Sequence, residues 1–485
     1  MAKSKMAASW LARLAPVAPT AFTTDWFVGL LAALPALIVL SLFGPIEPPD
    51  CSGYVGFAEQ ILSGQLRTGA ELLTEAIIPV SLYRAPGYPA LIAVFQYLFG
   101  NAWKVALVLL QISVSSLLAI LAHRTAALLG LPRLLALSVS LLPSVSIGLV
   151  MQVSILTDAV YSMLFGCAVL LLVPAMLHTS PRTPRTPLYV GLLLATAMSL
   201  REATIIIAIA FVPAVWIAAG AGRRGRWLCL SFSPLLAITA CLMTANYIRS
   251  GHAVVTTSPQ IVMVQALLPL VRQGLPLFPD DTIFDRTARE TLRGDDYHSI
   301  FALNDKLFLA GLSAPQISAE ARHRYFLTWR RFPVAMALAS LGRYHERYLA
   351  LPFHPLNAAR LLRLYAGRPS PWISNPGMLW QDAQMGSGSA AFWLVVYGAT
   401  RVIGTVIGVL AIAAPFVLLR NGDNRTVVVL GMWFICLGFV AVYLPVHLNE
   451  RYLVPLIPLQ CLLAGTFCAM LMRERAPNVL AVRYT

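Results

Sequence analysis

The sequence predicts an all-α polytopic membrane protein of about ten transmembrane helices, with interfacial helices in the first outer loop and a mixed outer domain. Three observations carry that expectation. Of 485 residues only 12% are charged and 58% are apolar, with a mean hydropathy of +0.72, whereas a soluble domain carries about 25% charged side chains. Uncharged runs recur at the length of about 20 residues that a helix needs to cross roughly 30 Å of hydrocarbon. The basic residues of the short connections fall on alternate sides, as retention of positive charge in the cytoplasm requires.

Taken in order, residues 1–25 carry Lys3, Lys5 and Arg13 and read as a cytoplasmic tail. The N-terminal membrane module, 26–248, holds the runs 26–46, 105–122, 134–157, 159–177, 186–200, 203–222 and 227–248. The first run is longer than a signal-peptide core and no A-x-A site follows it, so it reads as an uncleaved anchor. A C-terminal module, 391–472, holds a run entered near 395 with Arg401 inside it, then 426–446 and 452–472; residues 473–485 form a second cytoplasmic tail. With the N-terminus inside, Arg124 and Arg133, Arg182 and Arg185, Arg223, Arg224 and Arg226, Arg420 and Arg425, and Arg473 and Arg475 all stay inside. The net charge of +15 is then largely a topology signal, and no nucleic-acid partner is expected.

Two segments remain outside, a first loop at 47–104 and a larger region at 249–390. Tyr54, Phe57, Ala58, Ile61 and Leu62 recur at helical spacing, so 54–63 is expected to lie on the membrane as an amphipathic helix. Residues 85–103 are uncharged, but counting them as a span inverts every later loop, so they read as a half-buried or re-entrant helix opened by Pro86 and Pro89. Aromatic and Arg residues over 320–351 suggest another surface helix. The absence of an internal repeat speaks against an inverted-repeat transporter. Four Lys against 32 Arg is the signature of GC-rich coding and points to a bacterial inner membrane. Six of seven cysteines sit in apolar runs, leaving Cys51 as the one an oxidising compartment can reach.

The topology collects Asp50, Arg84, Asp158, Arg201 and Arg451 on the outer side, with Glu202 and Glu450 beside the last two. Ionisable groups at membrane depth are costly and mark function by default. Asp50, after Pro48 and Pro49, is either a base for an acceptor hydroxyl or amine or the cap of the helix that starts near Tyr54. Arg84, in the Pro-Gly-Tyr-Pro corner of 83–89, either holds a phosphate with help from Tyr83 or Tyr88, or is an interfacial anchor. Only 15 uncharged residues separate Arg185 from Arg201, which sinks Arg201 below the surface and demands an anion, either Glu202 or a ligand phosphate. Asp158 is a helix cap or a site residue, and Glu450 and Arg451 are placed to pair with each other. The eight His residues show no metal-ligand spacing, and no P-loop or H-E-x-x-H motif is present. Neither a metal nor another cofactor is therefore assigned.

In their order, these elements resemble the C-type membrane glycosyltransferases, in the branch of protein O-mannosyltransferases and aminoarabinose transferases. The resemblance rests on Asp50 with Ser52, Gly53, Tyr54, Ala58 and Leu62, on Tyr-Arg-Ala-Pro-Gly-Tyr-Pro at 83–89 and on Leu-Phe-Gly at 98–100. It continues with Leu-Thr-Asp at 156–158, Arg201, and Glu-Arg-Tyr-x-x-Pro at 450–455. It implies inverting transfer of a sugar from a polyprenyl-phosphate carrier to a glycan, lipid or protein acceptor on the periplasmic side. It also implies Asp50 as catalytic base, Asp158 as the second acid, and Arg84 with Arg201 as ligands of the carrier phosphate. Tyr54, Glu450 and Arg451 are placed as supports. The sequence departs from the family pattern at Asp158, where Glu is common, and at Glu202, where Pro is common. Region 249–390 matches no motif and is where acceptor choice is expected. The competing readings are a polysaccharide polymerase or ligase, and a transporter or lipid flippase.

Overall fold

The computed structural model describes residues 19–66, 68, 80–177, 184–294, 296–344, 376–421, 425–446 and 450–475. Among them the regular structure is helical, and strand-like pairing is limited to two isolated bridges, Ile46 with Ser154 and Arg293 with Asp296. Among the described residues seven helical stretches are long and apolar enough to cross a membrane: Thr24–Phe43, Gly87–Leu128 (interrupted at Gly100), Asp158–Met176, Arg224–Ser250, Arg401–Leu419, Arg425–Tyr443 and Arg451–Met472. The other three expected spans are helical but shorter or interrupted. Residues 134–157 break into Arg133–Leu141, a 3-10 turn Leu142–Val145 and Gly148–Val153, because Pro143 has no N–H to continue the ladder. Arg185–Leu200 is a 16-residue helix, about 24 Å long. Residues 203–222 fold as Thr204–Ile207, a 3-10 turn and Phe211–Ala219.

Residues 85–103 form the helix Gly87–Phe99, followed by a 3-10 turn and the helix Trp103–Leu128. The two α-helices are set apart at Gly100, whose φ of 50° is one that L side chains rarely adopt. The helix expected at 54–63 runs Cys51–Leu62 and buries Tyr54, Phe57 and Ala58. Cys51 is buried at its start, not open to an oxidising compartment.

Two contacts set the frame of the outer end. The first span and the Trp103–Leu128 helix run antiparallel, with Arg124 paired to Asp25 (2.7 Å) at one end and Lys104 to Glu47 (2.5 Å) at the other. Beyond the first span, Ile46 N–H donates to the carbonyl of Val153 (3.0 Å), and Ile155 N–H donates to that of Ile46 (2.9 Å). That rung holds the exit of the first span beside the connection that ends at Asp158. The Asp158–Met176 and Arg451–Met472 helices are the most enclosed of the seven, and Asp158 and Arg451 stand at their N-terminal ends.

The described part of the outer region is helical where a mixed domain was expected. It comprises Pro259–Arg272, Ile283–Thr291, His298–Leu309, Ala314–Arg331 and Pro333–Tyr344, around a separate core that includes Ile261, Leu267, Phe284, Leu303 and Tyr325. The surface helix expected over 320–351 is two helices, since Pro333 restarts the chain after Phe332; residues 345–351 lie outside the described residues. Arg324, buried in this core, pairs with Asp280 (2.5 Å) and Asp285 (2.8 Å).

Candidate active site

Asp50 stands at the N-cap position of the Cys51–Leu62 helix, but its side chain makes no capping bond. The carboxylate turns instead to two guanidiniums: Oδ1 accepts from Arg84 Nη2 at 2.9 Å and Oδ2 from Arg451 Nη2 at 2.6 Å. Burial alone raises this carboxyl, yet the charges of Arg451 and Arg84, with their hydrogen bonds, outweigh it and hold the pKa at about 2. The capping reading of Asp50 is therefore set aside.

Arg84 follows the single helical turn Val80–Tyr83. Its guanidinium lies over the rings of Tyr54 (4.7 Å) and Tyr83 (4.9 Å), and Nη1 donates to the Tyr54 hydroxyl at 3.3 Å. Cation–π contact with two rings, together with that hydrogen bond, restrains the fork. Burial pushes the Tyr54 phenol above its ordinary pKa, the first of several influences on it. Tyr88 belongs behind the site: it is fully buried, and its hydroxyl donates to Gln111 Oε1 at 2.7 Å, so it is not available to a phosphate. Gln111 in turn donates to the carbonyls of Gln152 and Ser154, tying the 87–99 helix to the 152–158 connection.

Arg201 takes up an extended conformation after Leu200, and the chain turns straight into the next helix through Thr204 N–H to the Arg201 carbonyl. The tight turn expected at Arg201 is thus present, and the partner of Arg201 is not Glu202. Arg201 Nη2 donates to Asp158 Oδ1 and Nε to Thr157 Oγ1 (3.2 Å). Glu202 accepts from Ser258 Oγ at 2.6 Å. Neighbouring residues point to different places, so the adjacent acid serves the outer region while a distant one neutralises Arg201. Asp158, in the first turn of its helix, is 1% exposed and makes this pair in place of a capping bond.

Arg451 pairs with Asp50; the expected pairing of Arg451 with Glu450 falls on a side chain outside the described residues. Tyr452 joins the two clusters: its ring lies 4.8 Å from the Arg201 guanidinium carbon and 5.2 Å from that of Arg451. Tyr161, one turn beyond Asp158, covers Arg201 at 5.2 Å. The sequence analysis gives neither tyrosine a role, although Tyr161 at i+3 from Asp158 shares its helix face and Tyr452 is the Tyr of the Glu-Arg-Tyr-x-x-Pro motif.

Gly87 sets the distance between the two halves. A Cβ there meets the Ser199 carbonyl oxygen at 2.6 Å, so only glycine lets the corner carrying Arg84 close on the helix that ends at Arg201. From the outer region, Thr257 N–H donates to the Leu82 carbonyl at 2.9 Å.

The described site therefore holds three guanidiniums and two carboxylates in ion pairs. Arg84 Nε and Arg201 Nη1 are buried without a hydrogen-bond partner. Such donors cost free energy unless something accepts from them. An arrangement of this kind favours an anion.

No protein-family model matches the sequence, and no curated protein matches it. Among solved structures it is similar to the oligosaccharyltransferase of Archaeoglobus fulgidus in the apo form. That match has a TM-score of 0.47 and 11% identity, and covers 94% of this chain and 51% of that one. The A. fulgidus oligosaccharyltransferase AglB with an inhibitory peptide and a dolichol-phosphate gives 0.44 and 11%, covering 94% and 52%. ArnT from Cupriavidus metallidurans bound to undecaprenyl phosphate gives 0.35 and 14%, covering 96% and 82%. The chain spans about half the length of the archaeal transferase.

Proposed function

We propose that this site transfers a sugar from a polyprenyl-phosphate carrier to an acceptor hydroxyl or amine on the periplasmic side of a bacterial inner membrane, with both chain termini in the cytoplasm. The observation that carries the reading is the set of three guanidiniums against two carboxylates, with the buried donors Arg84 Nε and Arg201 Nη1 unanswered. A phosphate leaving group needs its departing charge stabilised more than it needs an acid. Arg84 and Arg201 bind that phosphate, and the rings of Tyr54 and Tyr83 keep the Arg84 fork in place. Asp158 keeps Arg201 oriented from behind and does not touch the donor.

In the step itself the acceptor oxygen or nitrogen attacks the anomeric carbon from the face opposite the phosphate. As that bond forms, the bond from carbon to phosphate oxygen breaks and its electron pair leaves with the polyprenyl phosphate. The acceptor proton passes to Asp50, and the anomeric centre inverts. The outer region, anchored through Ser258 to Glu202 and through Thr257 to Leu82, forms the acceptor side. The basic connections of the sequence support the orientation.

The test is direct: purified protein is mixed with defined polyprenyl-phosphate sugars and candidate acceptors, and released polyprenyl phosphate is measured. Release that depends on both protein and acceptor is expected. No release with any such donor, together with no binding of undecaprenyl phosphate, overturns the reading.

A further inference from the structure

A carboxylate whose two oxygens are both held by guanidiniums is a poor base, because base strength falls with pKa. Asp50 is in that condition, so the arrangement described cannot itself take a proton efficiently. One of the two arginines has to let go.

The two differ in how they are held. Arg84 lies over the rings of both Tyr54 and Tyr83 and donates to the Tyr54 hydroxyl. Arg451 opens the 3-10 stretch Glu450–Leu456, whose hydrogen-bond geometry is poorer than that of an α-helix. It stacks on Tyr452 at 5.2 Å and reaches that residue's hydroxyl at a long 3.4 Å. The other face of the matter is Arg201, which shares the Tyr452 ring and keeps a buried Nη1 without a hydrogen-bond partner. An anion placed at that donor lies beside the Tyr452 ring on which Arg451 also stacks, and so competes with Asp50 for Arg451.

Resting on the transferase reading above, we propose that Arg451 is exchanged between Asp50 in the donor-free protein and the carrier phosphate in the donor-bound one, so that donor binding frees the base. Arg451 then acts twice. It suppresses Asp50 while the site lacks a donor, and it joins Arg201 on the phosphate once a donor arrives. An acceptor bound first meets a carboxylate unable to take its proton, so donor precedes acceptor in productive turnover. The pKa of about 2 for Asp50 between Arg451 and Arg84 accords with the suppressed state.

The experiment uses the full chain in nanodiscs, with undecaprenyl phosphate as the probe. Because Asp50 competes for Arg451, Asp50→Asn is expected to bind the probe about tenfold more tightly than wild type, the equivalent of one charge-assisted bond. The same gain has to vanish in the Asp50→Asn/Arg451→Gln double variant, a result that a merely structural role for Arg451 does not give. Unchanged or weaker binding by Asp50→Asn overturns the exchange, while wild-type binding keeps the transferase reading in place. If wild type itself binds no probe, the transferase reading fails first. Should Asp50→Asn not fold, the wild-type protein is treated at mildly acidic pH with an apolar carbodiimide, which modifies protonated carboxyls. Labelling of Asp50 is expected to rise several-fold on saturation with undecaprenyl phosphate; equal or lower labelling overturns the exchange.

Discussion

Asp50 and Asp158 are both outer-end aspartates paired to arginine, yet they sit in opposite circumstances. The Asp50 side chain is 32% exposed and shared by two arginines, whereas that of Asp158 is 1% exposed and serves one. A half-buried carboxylate held by excess positive charge can be released when another anion takes an arginine. A sealed one-to-one pair has nothing to exchange, and taking either charge away leaves the other stranded. Similar chemistry thus suits Asp50 to proton transfer and Asp158 to keeping Arg201 in place.

The sharpest way to break that contrast is to neutralise each acid in turn. Asp50→Asn is expected to leave insertion and folding intact while transfer falls roughly 100- to 10,000-fold, the usual loss for a general base. Released polyprenyl phosphate measures it, and near-normal turnover removes Asp50 from the role of base.

The counterpart at the buried pair appears as instability. Arg201→Met alone, or Asp158→Leu alone, is expected to cost about 3–5 kcal/mol of stability, since each leaves one charge buried without its partner. The double replacement restores most of that in a thermal melt, because an apolar exchange of a buried pair is often neutral, but it does not restore donor binding. A double variant with normal donor affinity makes Arg201 a structural residue only. Glu202→Gln is expected to spare donor binding, as its carboxylate is engaged by Ser258.

A smaller effect follows from Arg84→Ala, which weakens donor binding more than it alters acceptor dependence, with Lys restoring part as a point charge. Donor titrations identical to wild type identify Arg84 as an interfacial anchor instead. The smallest effect concerns pH. Because the folded pKa of Asp50, about 2, lies below its ordinary value of 3.8, its pairing stabilises the protein fully above the ordinary value and is lost as pH falls through the lower one. The melting-temperature difference between wild type and Asp50→Asn should therefore be constant from about pH 5 to 9 and shrink below about pH 4. A difference that changes near neutrality contradicts the double clamp.

How much of this was legible in the sequence depends on the range of the contact. The collection of charges at one end follows from run lengths and the positions of Lys and Arg, and Arg201 was placed in a sunken hairpin by counting back to Arg185. Partner choice was not legible. The sequence offers Arg201 either its neighbour Glu202 or a ligand phosphate, and gives no sign that Asp158 and Asp50 are the acids that meet Arg201 and Arg451. Those pairings depend on the single rung between Ile46 and Ser154 and on the absence of a Cβ at Gly87, neither of which leaves a periodic signal. Tyr88 was misassigned for a similar reason: its partner, Gln111, is a polar residue inside an apolar helix, and only packing shows that the two meet.

The rung at Ile46 also bears on how the protein meets bilayers of different thickness. A helix that is too long or too short for its membrane adjusts chiefly by tilting, and the first span, with Trp26, Phe27, Leu30 and Leu34 on its exposed side, is among those facing lipid. Its outer end is not free to swing by itself, since Ile46 is bonded to both Val153 and Ile155 and Glu47 to Lys104. Tilt is thereby shared between the first span and the connection leading into Asp158. The spacing of the two aspartates is fixed by protein contacts, and lipid thickness is absorbed elsewhere along the helix.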